Sequence, residues 1–187
     1  ADIVPGQRYA VILSTCAGLW RYHIGDTIRF LDTERYQIEF TGRDKFLDRF
    51  EEKVTQGEVE QAVEALNKLS IGAVREFMVG ADIAGRRHQW ILACRGALPA
   101  ADTTADFLDR QLCKANADYA TFRQQERIKA PQVLVVNEQL IYDWSQQVRG
   151  KLGGQSKIPH IDPTLQGELV QSLMSFNQSA QPSACSC

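Results

Sequence analysis

The chain reads as an α+β protein: a small β region, then an open α/β sandwich with a mixed sheet. Three observations lead there. The first 42 residues carry only strand-type patterns, with no helix of their own. Beyond them the pattern alternates in the order β-α-β-β-α-β-α, which packs helices on a sheet. Breaks stand at Gly42-Arg43-Asp44-Lys45 and at the glycine-rich Gly150–Gly154, so they punctuate the chain near the ends of the second body.

In the β region, Arg8 to Ser14 forms a strand and Cys16-Ala17-Gly18 a turn. Leu19 to Tyr22 begins a second strand, Gly25-Asp26 interrupts it, and Thr27 to Leu31 follows. Asp32 to Arg35 connects to a return strand, Tyr36 to Thr41. Four such strands make a marginal sheet by themselves, so they are expected to belong to a larger body. The chain starts inside strand-forming sequence without Met, which fits a piece of a longer protein. Gly42-Arg43-Asp44-Lys45 breaks the strand pattern and reads as a turn or as a hinge between two bodies.

Thr55-Gln56-Gly57-Glu58 is a capping box, with Thr55 as N-cap and Glu58 reaching back to it. The helix behind it carries Val59, Ala62, Val63, Leu66 and Leu69 on one apolar stripe. Strands Ala73 to Val79 and Gln89 to Cys94 follow, joined by a turn around Ala84-Gly85-Arg86. A second helix begins near Thr103-Thr104 with Phe107, Leu108, Leu112 and Ala115, and continues or restarts through Tyr119 and Phe122. The apolar run Gln132 to Val136 reads as a central, covered strand. Helices at about 140–148 and 164–176 flank the glycine-rich loop, and residues 179–187 form a small, polar tail expected to be disordered.

The net charge of −2 argues against a nucleic-acid or membrane surface, and no apolar run reaches the roughly 18 residues of a membrane span. Five cysteines, three of them in apolar periodic segments, read as reduced thiols of a cytoplasmic protein. Cys185-Ser186-Cys187 resembles a prenylation ending and could also bind metal weakly, but the tail reading takes precedence.

The loop Gly150-Lys151-Leu152-Gly153-Gly154-Gln155-Ser156-Lys157-Ile158-Pro159 has a backbone able to approach a ligand, two lysines, and a proline that sets the exit path. It suits a phosphate or carboxylate; taken by itself, the stretch reads first as a solvent loop that holds two lysines. Tyr22-His23-Ile24-Gly25-Asp26, Gly42-Arg43-Asp44-Lys45, Glu52-Lys53-Val54 and Gly154-Gln155-Ser156-Lys157-Ile158-Pro159 fall in the order seen in adenylate-forming enzymes. Together with Asn116-Ala117-Asp118-Tyr119 through Arg123, they resemble the acyl acid amido synthetase family of the plant auxin-conjugating enzymes and its bacterial relatives.

The resemblance implies that residues 1–42 end a large ATP- and acid-binding domain and that residues 43–178 form its small mobile C-terminal lid. That family joins a carboxylic acid to ATP with Mg²⁺, releases pyrophosphate, and passes the acyl group to an amine or amino acid. It implies a ribose contact for Asp26, whose two oxygens can accept both hydroxyls. Lys157 would meet the α-phosphate and attacking carboxylate, where charge builds in the transition state. Tyr22 and Lys53 would lie near the nucleotide, and Arg43, Asp44 and Lys45 would be the hinge. Against these stand a turn-capping Asp26, a core Tyr22 and a solvated Lys53. His23 and His160 replace the family's usual arginines, and Glu51 replaces its usual glycine. The phosphate loop and acyl pocket of the family have no counterpart here, so the chain alone is expected to be inactive. The competing function is a non-enzymatic α+β interaction module.

Overall fold

The computed structural model describes residues 3–43, 46–69, 73–150, 158–164 and 166–180, the side chains of residues 42, 43, 73 and 180 excepted. Strands β1 (Arg8–Leu13), β2 (Tyr22–Phe30) and β3 (Ile38–Arg43) form an antiparallel sheet in that order. The expected interruption at Gly25-Asp26 is instead a bulge inside one long strand. Ala10 faces Thr27 while Ile12 faces His23, and Gly25 takes φ +78°, so β2 absorbs extra residues without ending. The return strand starts at Ile38 and runs through Gly42 and Arg43, which were expected to break it; Arg43 pairs opposite Asp26.

A two-residue pairing of β4 (Phe46–Leu47) with β5 (Val54–Thr55) leads into α1 (Gln56–Leu69). The capping box forms as the sequence predicts. The Thr55 N–H donates to Glu58 Oε2 at 2.7 Å, and the Glu58 N–H donates to Thr55 Oγ1 at 3.2 Å. Val59, Ala62, Val63 and Leu66 are buried, whereas Leu69, expected on the same stripe, is exposed at the helix end.

The second sheet has the order β6 (Ala73–Asp82), β7 (Arg87–Arg95), β8 (Gln132–Asn137). β6 and β7 are an antiparallel hairpin; β7 and β8 are parallel, joined through α2 (Ala101–Ala115) and α3 (Ala117–Gln124). The central strand is thus β7, buried from His88 to Cys94, and not β8, which stands at the end of the order with alternating burial. A parallel crossover is a long-range choice that the local apolar run of β8 cannot specify.

Helices cover both faces of this sheet. Trp90 and Leu92 join Val59, Leu66, Leu108, Leu112 and Tyr119 in one core. On the other face Met78, Ile91 and Ala93 pack with Ile141, Trp144 and Leu173 of α4 (Glu138–Gln147) and α5 (Glu168–Ala180). The even–odd split along β7 fills both cores from one strand. α5 begins four residues later than expected and runs past Ser179, where the tail was expected to begin. No helix among the described residues is long and apolar enough to cross a membrane.

Candidate functional site

Residues 158–162 lie beside β6 as a short parallel segment. The Val79 N–H donates to the His160 carbonyl and the Asp162 N–H donates to the Val79 carbonyl, each at 2.8 Å. Ile158 is buried, and the His160 ring stacks on Phe77 at 4.1 Å while Nδ1 meets Glu60 Oε1 at 2.8 Å. Asp162, also buried, accepts from the Thr164 N–H and hydroxyl and from the Val170 N–H, which fixes the start of α5. The glycine-rich stretch is therefore followed by a foot, residues 158–162, that is clamped to the sheet. Lys157 itself, like Asp44 and Lys45, lies outside the described residues.

Asp26 is half-buried in β2, one residue past the bulge glycine and across from Arg43. Tyr22 opens the same strand opposite Leu13 and is half-exposed, so it is not a core aromatic. β2 thus carries both residues on one rigid strand, and the bulge at Gly25 sets the direction in which Asp26 emerges. Arg43 ends β3, and the hinge reading places it at the last residue of that sheet.

Lys53 sits in a turn that is held on every side. The Lys53 N–H donates to Asp48 Oδ1 at 3.3 Å and its carbonyl accepts from Asn116 Nδ2 at 3.3 Å. Asn116 also donates to Glu58 Oε2 and accepts from the Tyr119 N–H, capping α3. The two separate motif segments around Lys53 and Asn116 therefore meet at one residue, 63 positions apart in sequence. Both Glu51, at φ +70°, and Lys53, at φ +47°, are left-handed. Each such residue costs about 1 kcal/mol relative to ordinary backbone, a strain that persists only where the surroundings impose it. Glu51 stands where the resembled family has glycine, the residue that tolerates this conformation. An ion pair from Arg127 to Glu51 holds the turn from outside at 2.9 Å.

From inside it is held by Glu52, the middle residue of the charged run Glu51-Glu52-Lys53. Glu52 is fully buried, with Oε1 at 2.8 Å from His88 Nε2 of β7 and Oε2 accepting the Phe50 N–H at 2.7 Å. The His88 ring lies between Tyr119, at 5.2 Å, and Phe50, at 6.2 Å, both nearly parallel to it. The Tyr119 hydroxyl donates to Asp109 at 2.6 Å, and burial beside that carboxylate pushes the phenol far above its ordinary pKa. Arg123 forks onto both oxygens of Asp109 and onto the Ile128 carbonyl, and its hydrogen bond to Asp109 raises its pKa further. The signal in the sequence is a lone histidine directly ahead of the apolar strand Gln89 to Cys94, which needs a polar partner if the strand is buried.

A cleft of about 720 Å³ opens between the first sheet and α1, lined by Arg8, Arg29, Glu39, Thr41, Glu60 and Glu64 among others. None of Tyr22, Asp26 or Lys53 lines it. Among the described residues no group of three or more His, Cys, Asp or Glu could hold a metal ion.

Two family models match the chain: the GH3 family central domain over residues 1–43 and the GH3 family C-terminal domain over residues 57–164. Indole-3-acetic acid-amido synthetase GH3.10 of Arabidopsis thaliana is 26% identical over 163 residues, 82% of this chain and 28% of that protein. Indole-3-acetic acid-amido synthetase GH3.4 of the same plant is 32% identical over 72 residues, 37% of this chain and 12% of that protein. Among solved structures, the GH3.15 acyl acid amido synthetase superposes with TM-score 0.72 at 17% identity, over 94% of this chain and 35% of that one. AtGH3.15 in complex with 2,4-DB gives TM-score 0.68 at 18% identity, over 94% of this chain and 33% of that one. The chain thus spans about a third or less of the proteins it matches.

Proposed function

This chain belongs to the GH3 family, and on that footing we propose that it is the C-terminal part of an ATP-dependent acyl acid amido synthetase. The observation that carries the reading is the C-terminal family match over 57–164, together with the ordered motif residues that flank and fill it. In this reading a carboxylic acid attacks the α-phosphorus of ATP, pyrophosphate leaves, and an amine or amino acid then takes the acyl group and releases AMP. Asp26 accepts hydrogen bonds from the ribose hydroxyls, and Tyr22 packs near the nucleotide. Lys53 lies near the nucleotide, and Lys157 places an ammonium group at the α-phosphate, where negative charge develops. The clamped foot at Ile158–Asp162 supports that role, because a lysine one residue before a fixed point has a short tether.

Arg43, Asp44 and Lys45 act as the hinge on which residues 43–178 turn between the two half-reactions, against residues 1–42 held in the larger ATP- and acid-binding domain. Mg²⁺ enters with the nucleotide phosphates, which suits a cation that keeps most of its water and needs few protein ligands. The 187-residue chain alone is inactive, and the parent works in the cytoplasm, where Cys16, Cys94 and Cys113 stay free thiols.

The experiment is acyl-adenylate formation by the natural polypeptide that carries this sequence, offered a panel of carboxylic acids. Lys157→Ala is expected to slow it about a hundredfold, the usual cost of removing one transition-state charge contact. Asp26→Ala is expected to raise KM for ATP. Unchanged adenylate formation by Lys157→Ala would sink the role given to that lysine.

A further inference from the structure

The buried Glu52–His88 pair has no part in the ligand contacts proposed above, yet both side chains are fully shut off from solvent. A carboxylate and an imidazole with no exposed surface are costly to bury, and one proton fills the 2.8 Å gap between them. Among the described residues His88 Nδ1 has no hydrogen-bond partner, so no second bond from them holds the ring on its far side. What holds it is stacking between Tyr119 and Phe50. The other oxygen of Glu52 takes the Phe50 N–H, so the same carboxylate closes the turn on itself. The two residues flanking Glu52 in sequence are the left-handed pair Glu51 and Lys53. Burying Glu52 between them drives both neighbours outward: Glu51 onto Arg127 and Lys53 to the surface.

From this arrangement we infer that Glu52 and His88 are positioning residues that fix the strained turn presenting Lys53, and that they act on the reaction only through that lysine. The inference rests on the nucleotide contact proposed for Lys53. Strain at the two non-glycine residues that flank a fully buried acid is the observation that separates this from ordinary core packing, since packing alone does not call for left-handed backbone. Asn116 and Asp48 pin the Lys53 backbone from the other side, so removing the pair frees one wall of the turn and leaves the rest of the fold in place.

Two measurements test it. In the 187-residue chain, Glu52→Gln keeps the size of the side chain but forces a proton onto the partnerless Nδ1 if the contact is to persist. Amide hydrogen exchange at Lys53 is expected to rise about tenfold, with Ile91 and Leu92 of β7 unchanged, the mark of local opening. In the natural polypeptide, Lys53→Ala and Glu52→Gln are each expected to lower kcat/KM for ATP about tenfold, and the double variant to match Lys53→Ala alone. Should Glu52→Gln not fold, the apolar pair Glu52→Leu with His88→Phe fills the same space and serves in its place. Losses that multiply in the double variant would overturn the inference, as would exchange that rises equally in β7. If Lys53→Ala and Asp26→Ala both leave ATP kinetics unchanged, the nucleotide reading falls and this one with it. Multiplied losses beside an intact Lys53 effect remove this inference alone.

Discussion

Truncating Asp162 to alanine should loosen the foot of the lysine loop and lower the stability of the whole domain by an amount that the structure allows to be worked out. The carboxylate is 6% exposed and accepts three hydrogen bonds, from the Thr164 N–H at 2.8 Å, its hydroxyl at 2.6 Å and the Val170 N–H at 2.9 Å. A bond to a charged acceptor contributes about 1.5–3 kcal/mol, so the three together set a gross loss of ~4.5–9 kcal/mol. Relief of the buried charge and rehydration of the half-buried Thr164 offset about half of that. A net loss of about 3 kcal/mol remains, or roughly 6–12 °C in Tm for a domain of this length. Asp162→Asn is the sharper variant. Its amide offers one oxygen and one NH₂ group, so either Val170 or Thr164 faces a donor where it needs an acceptor, at about 1–2 kcal/mol. The assay is urea unfolding of the 187-residue chain followed by circular dichroism, with hydrogen exchange at Val79 and Val170 reporting the foot itself. An alanine variant within about 1 kcal/mol of the parent, or an asparagine variant indistinguishable from it, would refute the reasoning, because then the three bonds do not act as one clamp.

Three further outcomes follow from single groups. Glu76 has its pKa raised by burial, opposed by His160 and reinforced by Glu138; a raised folded-state value means that the folded form binds more protons, so its ionisation lowers stability as pH rises through that value. Glu76→Gln should therefore stabilise the chain at neutral pH, with the gain vanishing below the ordinary carboxylate range, as read by Tm against pH. Burial pushes the Cys94 thiol up to about 11, while Cys16 is exposed, so iodoacetamide at neutral pH should label Cys16 well before Cys94 by peptide mass spectrometry. Gly167 has φ +69°, and a Cβ there would stand 2.4 Å from the Ala81 carbonyl oxygen, so Gly167→Ala should cost about 2 kcal/mol or more in urea unfolding.

What the sequence made legible was local. The capping box at Thr55 and Glu58 and the stripe through Leu66 need only neighbours within a turn or two, and both formed as read. Leu69 kept the helical spacing but fell beyond the last turn that faces the sheet. The break at Gly25 was real as a conformation and wrong as an ending, since a bulge and a strand terminus share the same glycine signal. The start of α5 was placed too early because its fixed point is Asp162, whose bond to Val170 is a tertiary arrangement and not a sequence cap. The role of β8 depended on which strand it would join, and that is settled by a crossover of more than thirty residues' reach, not by its own apolar run.

The candidate site followed the same division. Tyr22, Asp26, Lys53 and Arg43 could be singled out because the motifs that hold them are contiguous. The meeting of Lys53 with Asn116 could not, because it depends on how α3 turns back toward β5. Glu52 was hidden for a different reason. In a run of Glu51-Glu52-Lys53 every residue looks solvated, and only the partner His88, 36 positions away, makes burial of the middle one possible.

The most direct test of the whole account is ATP–pyrophosphate exchange, run on the natural polypeptide carrying this sequence and, beside it, on the 187-residue chain. The account predicts exchange that depends on an added carboxylic acid in the first and none in the second. Exchange by the 187-residue chain alone, or its absence from the natural polypeptide across a broad acid panel while the protein is folded, would contradict it.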